Sequence, residues 1–312
     1  MSTNLSVIVF SKDRPLQLHG YLESLLVFSN IDPSQITILY KDNPLFSYKL
    51  CRNHFPDCNW VPEENFSDNF FEILRNLKSE YVMFGCDDVV FTRPFSFEQA
   101  LQNLEQDKKL FTFSLRMGKN IYPHPRGVTS SRSSLKWPWI NGYWTHWSFP
   151  WELDASVYRV ADVRDIVSSY NKPILNPNFL EANFYEDEVL YAKYKNCMPL
   201  MMSSDEAKLL VITVNRVQDT HQNSFDESLD SDVESLDKKY QEGFRLNYRS
   251  LRSKIMPKKI HVDGKYLLLA REDSLAVNFE KFIKLKDLFN QFIYFIKYYI
   301  MNPLRFMMRI KT

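Results

Sequence analysis

Glycine is scarce in this chain, with 7 residues in 312. Neither GxGxxG nor GxxxxGKS/T occurs, which argues against a dinucleotide fingerprint and a P-loop as routes to a bound phosphate. Cysteine is sparser still: Cys51, Cys58, Cys86 and Cys197 show no CxxC spacing. The opening MSTNLSVIVFSKDRP has no basic stretch leading into a long apolar run. Both absences point to an unprocessed protein in a reducing, cytoplasmic compartment. An excess of one charge is also missing, since 39 Lys and Arg against 38 Asp and Glu leave +1. That balance supplies no field for nonspecific nucleic-acid binding. Cys51, His54 and Cys58 are close enough to suggest zinc, but no fourth ligand follows at a customary spacing. They read as reduced thiols and a histidine on a surface helix.

Aromatic residues are abundant instead: 24 Phe, 17 Tyr and 6 Trp make up 15% of a chain that is 45% hydrophobic and 25% charged. This is a globular composition, of a length for one large domain or two small ones. Val7 to Phe10, Ile36 to Tyr40 and Tyr81 to Phe84 are short apolar runs that read as buried strands. Leu18, Leu22, Leu25 and Leu26 predict a helix after the first, and Phe66-Ser67-Asp68 opens another with Phe70, Phe71, Leu74 and Leu77 on one face. Alternation of this kind implies an α/β fold with a parallel sheet. Ligands of such sheets bind at the carboxyl ends of the strands. Those ends carry Ser11, Asp13 and Arg14, then Lys41 and Asp42, then Asp87 and Asp88. An acidic, weakly hydrophobic stretch from Asp219 to Asp237 reads as a loop.

Two carboxylates at a strand end suit a hard divalent cation, Mg²⁺ or Mn²⁺, that shares oxygen ligands with phosphate. They equally suit a helix cap or a turn. SVIVFSKDRPLQLHGYLESL followed by YVMFGCDDVVFTRPFSF resembles the nucleotide-sugar-binding half of GT-A glycosyltransferases, closest to the bacterial family-2-like group. FPWELDASVYR, NPNFLEANF and ITVNRVQDT follow in the family's order, so the resemblance covers roughly residues 5 to 250. It implies a GT-A-like, Rossmann-related mixed sheet flanked by helices, and transfer of a sugar from a nucleotide-diphosphate-sugar. The family's Asp-x-Asp is altered, with Cys86 where the first aspartate often stands. By resemblance, Asp88 ligates the metal bridging the diphosphate and Asp87 contacts ribose or a metal-bound water. His221 supplies a further metal ligand, while Arg14 and Asp13 face phosphate, base or ribose. A salt-linked turn after the first strand is the other reading of Asp13 and Arg14.

Five of the six tryptophans fall between Trp137 and Trp151. Flat rings cover the apolar face of a pyranose, so Trp144, His146, Trp147 and Trp151 are expected on the acceptor side; a hydrophobic cluster pinning a loop is the alternative. An inverting transfer needs a carboxylate to take the acceptor proton. Glu181 lies 93 residues beyond Asp88, about where inverting members carry that base; Asp154 is next, with Glu186 and Asp187 behind. Asn178-x-x-Glu181 also fits a capping box.

From Phe279 onward, apolar residues recur at helical spacing, with seven basic residues against two acidic ones. The apolar runs are too short to span a bilayer. A basic amphipathic helix can lie on an anionic membrane surface, where lipid-linked acceptors reside, or dock onto the catalytic domain or a second copy of the chain. The organisation expected is a catalytic domain over 1–260 and a helical tail over 261–312. The activity expected is a metal-dependent transfer to a glycan or lipid-linked acceptor, in surface polysaccharide synthesis on the cytoplasmic face of the membrane. A nucleotidyltransferase and a non-catalytic carbohydrate-binding protein or degenerate transferase are the competing readings.

Overall fold

The computed structural model describes residues 4–41, 43–46, 48–143, 145–214, 232–254 and 260–272. The chain divides into compact units Met1–Leu269 and Ala270–Thr312, and the elements below belong to the first. The tail expected from 279 onward lies outside the described residues.

The first part alternates strand and helix: β1 (Leu5–Lys12), α1 (Pro15–Ser29), β2 (Ile36–Lys41), α2 (Tyr48–His54), β3 (Asn59–Pro62), α3 (Phe66–Asn76) and β4 (Tyr81–Cys86). β1 runs parallel to β2, with Val7 opposite Ile36, and to β4, with Val7 opposite Met83. Its near-continuous burial is that of a central strand covered on both faces. Pro15 starts α1, where a missing N–H costs nothing, and Asn30 closes it in the left-handed conformation with φ of 55°. α1 packs so closely that a Cβ on Gly85 of β4 would lie 2.1 Å from the Tyr21 hydroxyl oxygen. One of the few glycines is thus required at a helix-sheet contact. α3 is capped by Asn65, whose side chain accepts from the Asp68 N–H, and it buries Phe66, Phe70, Ile73 and Leu74.

The second part is β5 (Val89–Phe91), α4 (Phe97–Gln106), β6 (Leu110–Ser114), β7 (Thr129–Ser130), β8 (Ser134–Pro138), β9 (Ser156–Arg159), α5 (Val160–Ser168), α6 (Pro177–Glu186), α7 (Glu188–Cys197), β10 (Leu200–Ser204) and β11 (Leu209–Thr213). α8 (Val233–Gln241), β12 (Phe244–Leu246), α9 (Tyr248–Lys254) and β13 (His261–Asp263) follow. Among the described residues the main sheet has the order β3-β2-β1-β4-β9-β6-β10-β8-β7. β9 is antiparallel to both β4 and β6, so the sheet is mixed, as the resemblance implies, and not wholly parallel. A second sheet, β13-β11-β5, places His261 opposite Val211 and Val211 opposite Val89.

Two expectations need correction here. Val233 to Asp237, read as the end of an acidic loop, begins α8, because Asp232 caps the Ser235 N–H and Leu236 and Tyr240 bury against the core. Cys51 and Cys58 are not surface thiols: both are buried, and burial pushes the Cys51 thiol up and Cys58 up to about 12.

Candidate active site

The polar ends of β1, β2 and β4 meet on one side of the sheet, as the parallel register requires. The Ser11 hydroxyl donates to Asp87 Oδ2 at 2.9 Å and lies 2.7 Å from the Tyr48 hydroxyl. The Lys12 N–H reaches the same Asp87 oxygen at 3.2 Å. Arg14 Nη1 is 3.1 Å from Asp87 Oδ1 and 3.7 Å from Asp88 Oδ2. Asp13 follows β1 with φ of 57° and accepts from Asn43 Nδ2 at 3.2 Å. Lys41, half exposed, pairs with Glu63 at 3.5 Å. Asp42, Trp144 and His221 lie outside the described residues.

Asp87 and Asp88 therefore differ. Asp87 is sealed and has both oxygens engaged, whereas the Asp88 side chain is 24% exposed beyond its contact with Arg14. Burial raises the acid of each above its ordinary range, and Arg14 opposes the shift. Asp154 adds to the rise at Asp88, so this second carboxylate lies within electrostatic reach of the first. Burial, together with Asp154 and Asp88, also pushes the Cys86 thiol up, so the residue at the altered motif position is a neutral thiol.

Asp154 belongs to the irregular segment Trp151 to Ala155, whose successive N–H groups are held by partners from elsewhere in the fold. Trp151 N donates to the Tyr185 hydroxyl at 3.1 Å and Glu152 N to the Tyr158 hydroxyl at 2.9 Å. Leu153 N donates to Glu181 Oε1 at 3.1 Å, Asp154 N to Glu152 Oε2 at 2.5 Å, and Ala155 N to the Phe84 carbonyl at 2.9 Å. Ala155 has φ of 70°, a conformation that costs a residue with a Cβ about 1 to 3 kcal/mol and persists only where its surroundings enforce it. Glu181 is accordingly not the partner of Asn178 in a capping box. Asn176 caps α6 by accepting from Asn178 N and Phe179 N, which turns the Glu181 carboxylate toward Leu153.

Arg116, just beyond β6, is the charged member that strand-end reasoning missed. Leu110 to Ser114 is an apolar run ending in Leu-Arg-Met-Gly, the same signal that located Arg14 and Asp87. The Arg116 side chain is 5% exposed, with Nε 3.6 Å from Glu152 Oε2 and Nη1 3.3 Å from Asp154 Oδ2. Burial raises Asp154 and Glu152 raises it further, while Arg116 opposes. Burial, Asp154 and Glu152 push Glu181 up to about 8. His146 stacks on His261 with ring centroids 5.0 Å apart. Both residues keep an exposed edge, and partial desolvation first, then Arg116, lowers the pKa of each ring below the ordinary histidine range.

The tryptophans correct the sugar-platform expectation. Trp147 and Trp151 are fully buried, as are Trp137 and Trp139, so neither expected ring presents a face to a ligand. Trp137 and Trp147 meet edge to face at 4.8 Å, and Trp151 Nε1 donates to the Leu180 carbonyl at 2.8 Å, next to Glu181. They pin the loop. Exposed rings nearby in sequence are Tyr143 and Tyr122, the latter stacked on His124 at 4.6 Å.

Among the described residues, no three His, Cys, Asp or Glu side chains converge as a metal centre. The donor set still suits a hard cation that takes one or two protein carboxylates and completes its shell with phosphate and water. Asp88 is the more accessible carboxylate of the two, its side chain 24% exposed against 5% for Asp87.

No protein-family model matches the chain. It is 29% identical over 292 residues to the bifunctional glycosyltransferase pgtA of Dictyostelium discoideum, covering 79% of this chain and 38% of that protein. The chain thus spans less than half the length of this relative, which agrees with the resemblance read from the sequence. Among solved structures, S. aureus TarS 1–349 superposes with a TM-score of 0.44 at 15% identity, over 67% of this chain and 60% of that one. The mannosyltransferase PcManGT from Pyrobaculum calidifontis, in complex with GDP-Man and Mn²⁺, gives 0.35 at 9% identity over 66% and 57%. A cytidylyltransferase from Leptospira borgpetersenii gives 0.38 at 9% over 62% and 74%.

Proposed function

We propose that this chain is a glycosyltransferase that moves a sugar from a nucleotide-diphosphate-sugar to a hydroxyl of a glycan or lipid-linked acceptor. The observation that carries this reading is the convergence of two acidic groups, each tied to a largely buried arginine: Asp87 and Asp88 at the end of β4 with Arg14, and Asp154 with Arg116 on the segment that Glu181 anchors. The first sits at the strand ends where ligands of α/β sheets bind; the second supplies a carboxylate that can take an acceptor's proton.

Asp88 would hold a divalent cation, Mn²⁺ or Mg²⁺, with His221 as a further ligand. When bound, the cation neutralises charge developing on the departing nucleoside diphosphate. Ser11 and Arg14 fix Asp87, and with Asp13 and Lys41 they border the donor. One carboxylate of the Asp154–Glu181 pair takes the acceptor's proton as the acceptor oxygen attacks the anomeric carbon, an inverting displacement. Tyr143 and His146 border the acceptor in place of the buried tryptophans. The catalytic domain is assigned to 1–269, past the expected boundary at 260, because β13 pairs with β11. The basic segment from 279 onward is assigned to an anionic membrane surface, the setting of surface polysaccharide synthesis.

The test is thermal shift against a panel of nucleoside diphosphates with and without Mn²⁺. One diphosphate should stabilise the protein in a metal-dependent way, and Asp88→Ala should abolish that response. Stabilisation by oligosaccharides with no response to any nucleotide would mean a binding protein.

A further inference from the structure

We infer that Arg116 is a positioning residue for the transfer proposed above: it holds Asp154 in the cleft as the proton acceptor and leaves Glu181 to anchor the loop that carries Asp154. The inference rests on the transferase reading and divides the work within its acidic pair.

Three observations carry it. The Arg116 guanidinium links a carboxylate sealed at 1% exposure, Glu152, to one that reaches solvent at 19%, Asp154. Glu152 neutralises the buried cation from below, and Asp154 receives the guanidinium's outer nitrogen at 3.3 Å. Among the described residues the hydrogen-bond donor to Glu181 is the neutral Leu153 N–H, and that bond fixes the backbone immediately before Asp154. A cation holds a neighbouring carboxylate in its ionised form, which a single amide does far less effectively.

The groups that act on Asp154 come from four directions. Arg116 opposes Glu152 of its own segment and Glu181 of α6, while Asp88 and Cys86 lie at the end of β4 and Tyr21 on α1. Arg116 is the cation among these six, so its removal leaves carboxylates facing one another. The protonation order agrees with the geometry, since Glu181 is pushed up to about 8 and retains its proton at neutral pH. In the transfer, the acceptor O–H bond breaks and its proton passes to Asp154. The oxygen's electron pair forms the new bond to the anomeric carbon, and the nucleoside diphosphate leaves with the electrons of the old one.

The experiment compares Arg116→Gln, Arg116→Lys and the double variant Arg116→Gln/Glu152→Gln with the full wild-type chain. Turnover, donor KM and the carboxyl titration of Asp154, followed by carbon-13 NMR, are measured for each. Arg116→Gln should lower kcat by about a hundredfold, the scale of losing a general base. Donor KM should hold within about twofold, Asp154 should titrate at higher pH, and Arg116→Lys should restore much of both. If Arg116→Gln does not fold, the double variant removes the cation together with its sealed counter-charge and is read in the same way. An unshifted Asp154 titration, or a fall in kcat that merely follows thermal stability across the variants, overturns the inference. Absence of transfer by the wild type with every donor sinks the transferase reading instead, and the titration still decides whether Arg116 governs Asp154.

Discussion

The two halves of the acidic site are built by different means. On the donor side, Ser11, Arg14, Asp87 and Asp88 stand at the ends of β1 and β4, and the hydrogen-bond ladder between those strands puts them together. On the acceptor side, Asp154 stands on a segment without regular structure, held by the hydroxyls of Tyr158 and Tyr185, by Glu181 and Glu152, and by one backbone carbonyl. The first arrangement tolerates changes to single side chains because backbone supplies it. The second should fail when one distant side chain is removed.

Trp151→Ala tests that contrast most severely. The ring is fully buried, contacts Phe84 and Tyr158, and donates to the Leu180 carbonyl. Truncation should cost about 3 to 5 kcal/mol, and well below the melting temperature it should reduce turnover while nucleotide binding persists. Equal loss of both in calorimetry and kinetics would show that the two sides are one mechanical unit. A smaller effect is expected from Gly85→Ala on the donor side, where the new Cβ would press on the Tyr21 hydroxyl. Overpacking of this kind costs about 1 to 3 kcal/mol. Here nucleotide affinity should hold, because the strand ladder is untouched; a lost thermal response to nucleotide would break the comparison.

The mildest probe is pH. Burial raises the Glu181 acid from 4.5 to about 8, so over that interval the folded chain keeps a proton that the unfolded chain has released. The stability this group contributes is full below about pH 4.5 and is lost as pH rises through 8. Glu181→Gln, whose amide oxygen still accepts from Leu153, should flatten the fall in stability over that interval in denaturant titrations. An unchanged pH slope would place the Glu181 carboxyl in contact with solvent.

The donor side was legible because three apolar runs of strand length each ended in charged residues. Arg116 carries the same signal two residues beyond the end of β6, but its carboxylate partners Glu152 and Asp154 are 36 and 38 residues away in sequence and nothing local announces them. The tryptophans were legible as a cluster but not as to their role. Aromatic density looks alike whether a ring faces sugar or a helix start, and full burial of Trp147 and Trp151 decided for the latter. Glu181 was found by its distance along the chain from Asp88, while the choice between a capping role and the site was left open by the sequence. Asn176, two residues earlier than Asn178, took the cap and freed the carboxylate for Leu153.

By itself the sequence determined the alternation of strands and helices and the strand-end half of the cleft. In a parallel sheet, chain polarity alone sends every carboxyl end to the same edge. Only the tertiary structure decided that Asp154, Glu181 and Arg116 come together, because the N–H groups that hold the Asp154 segment find partners up to 71 residues away, and such pairings leave no periodicity in the sequence.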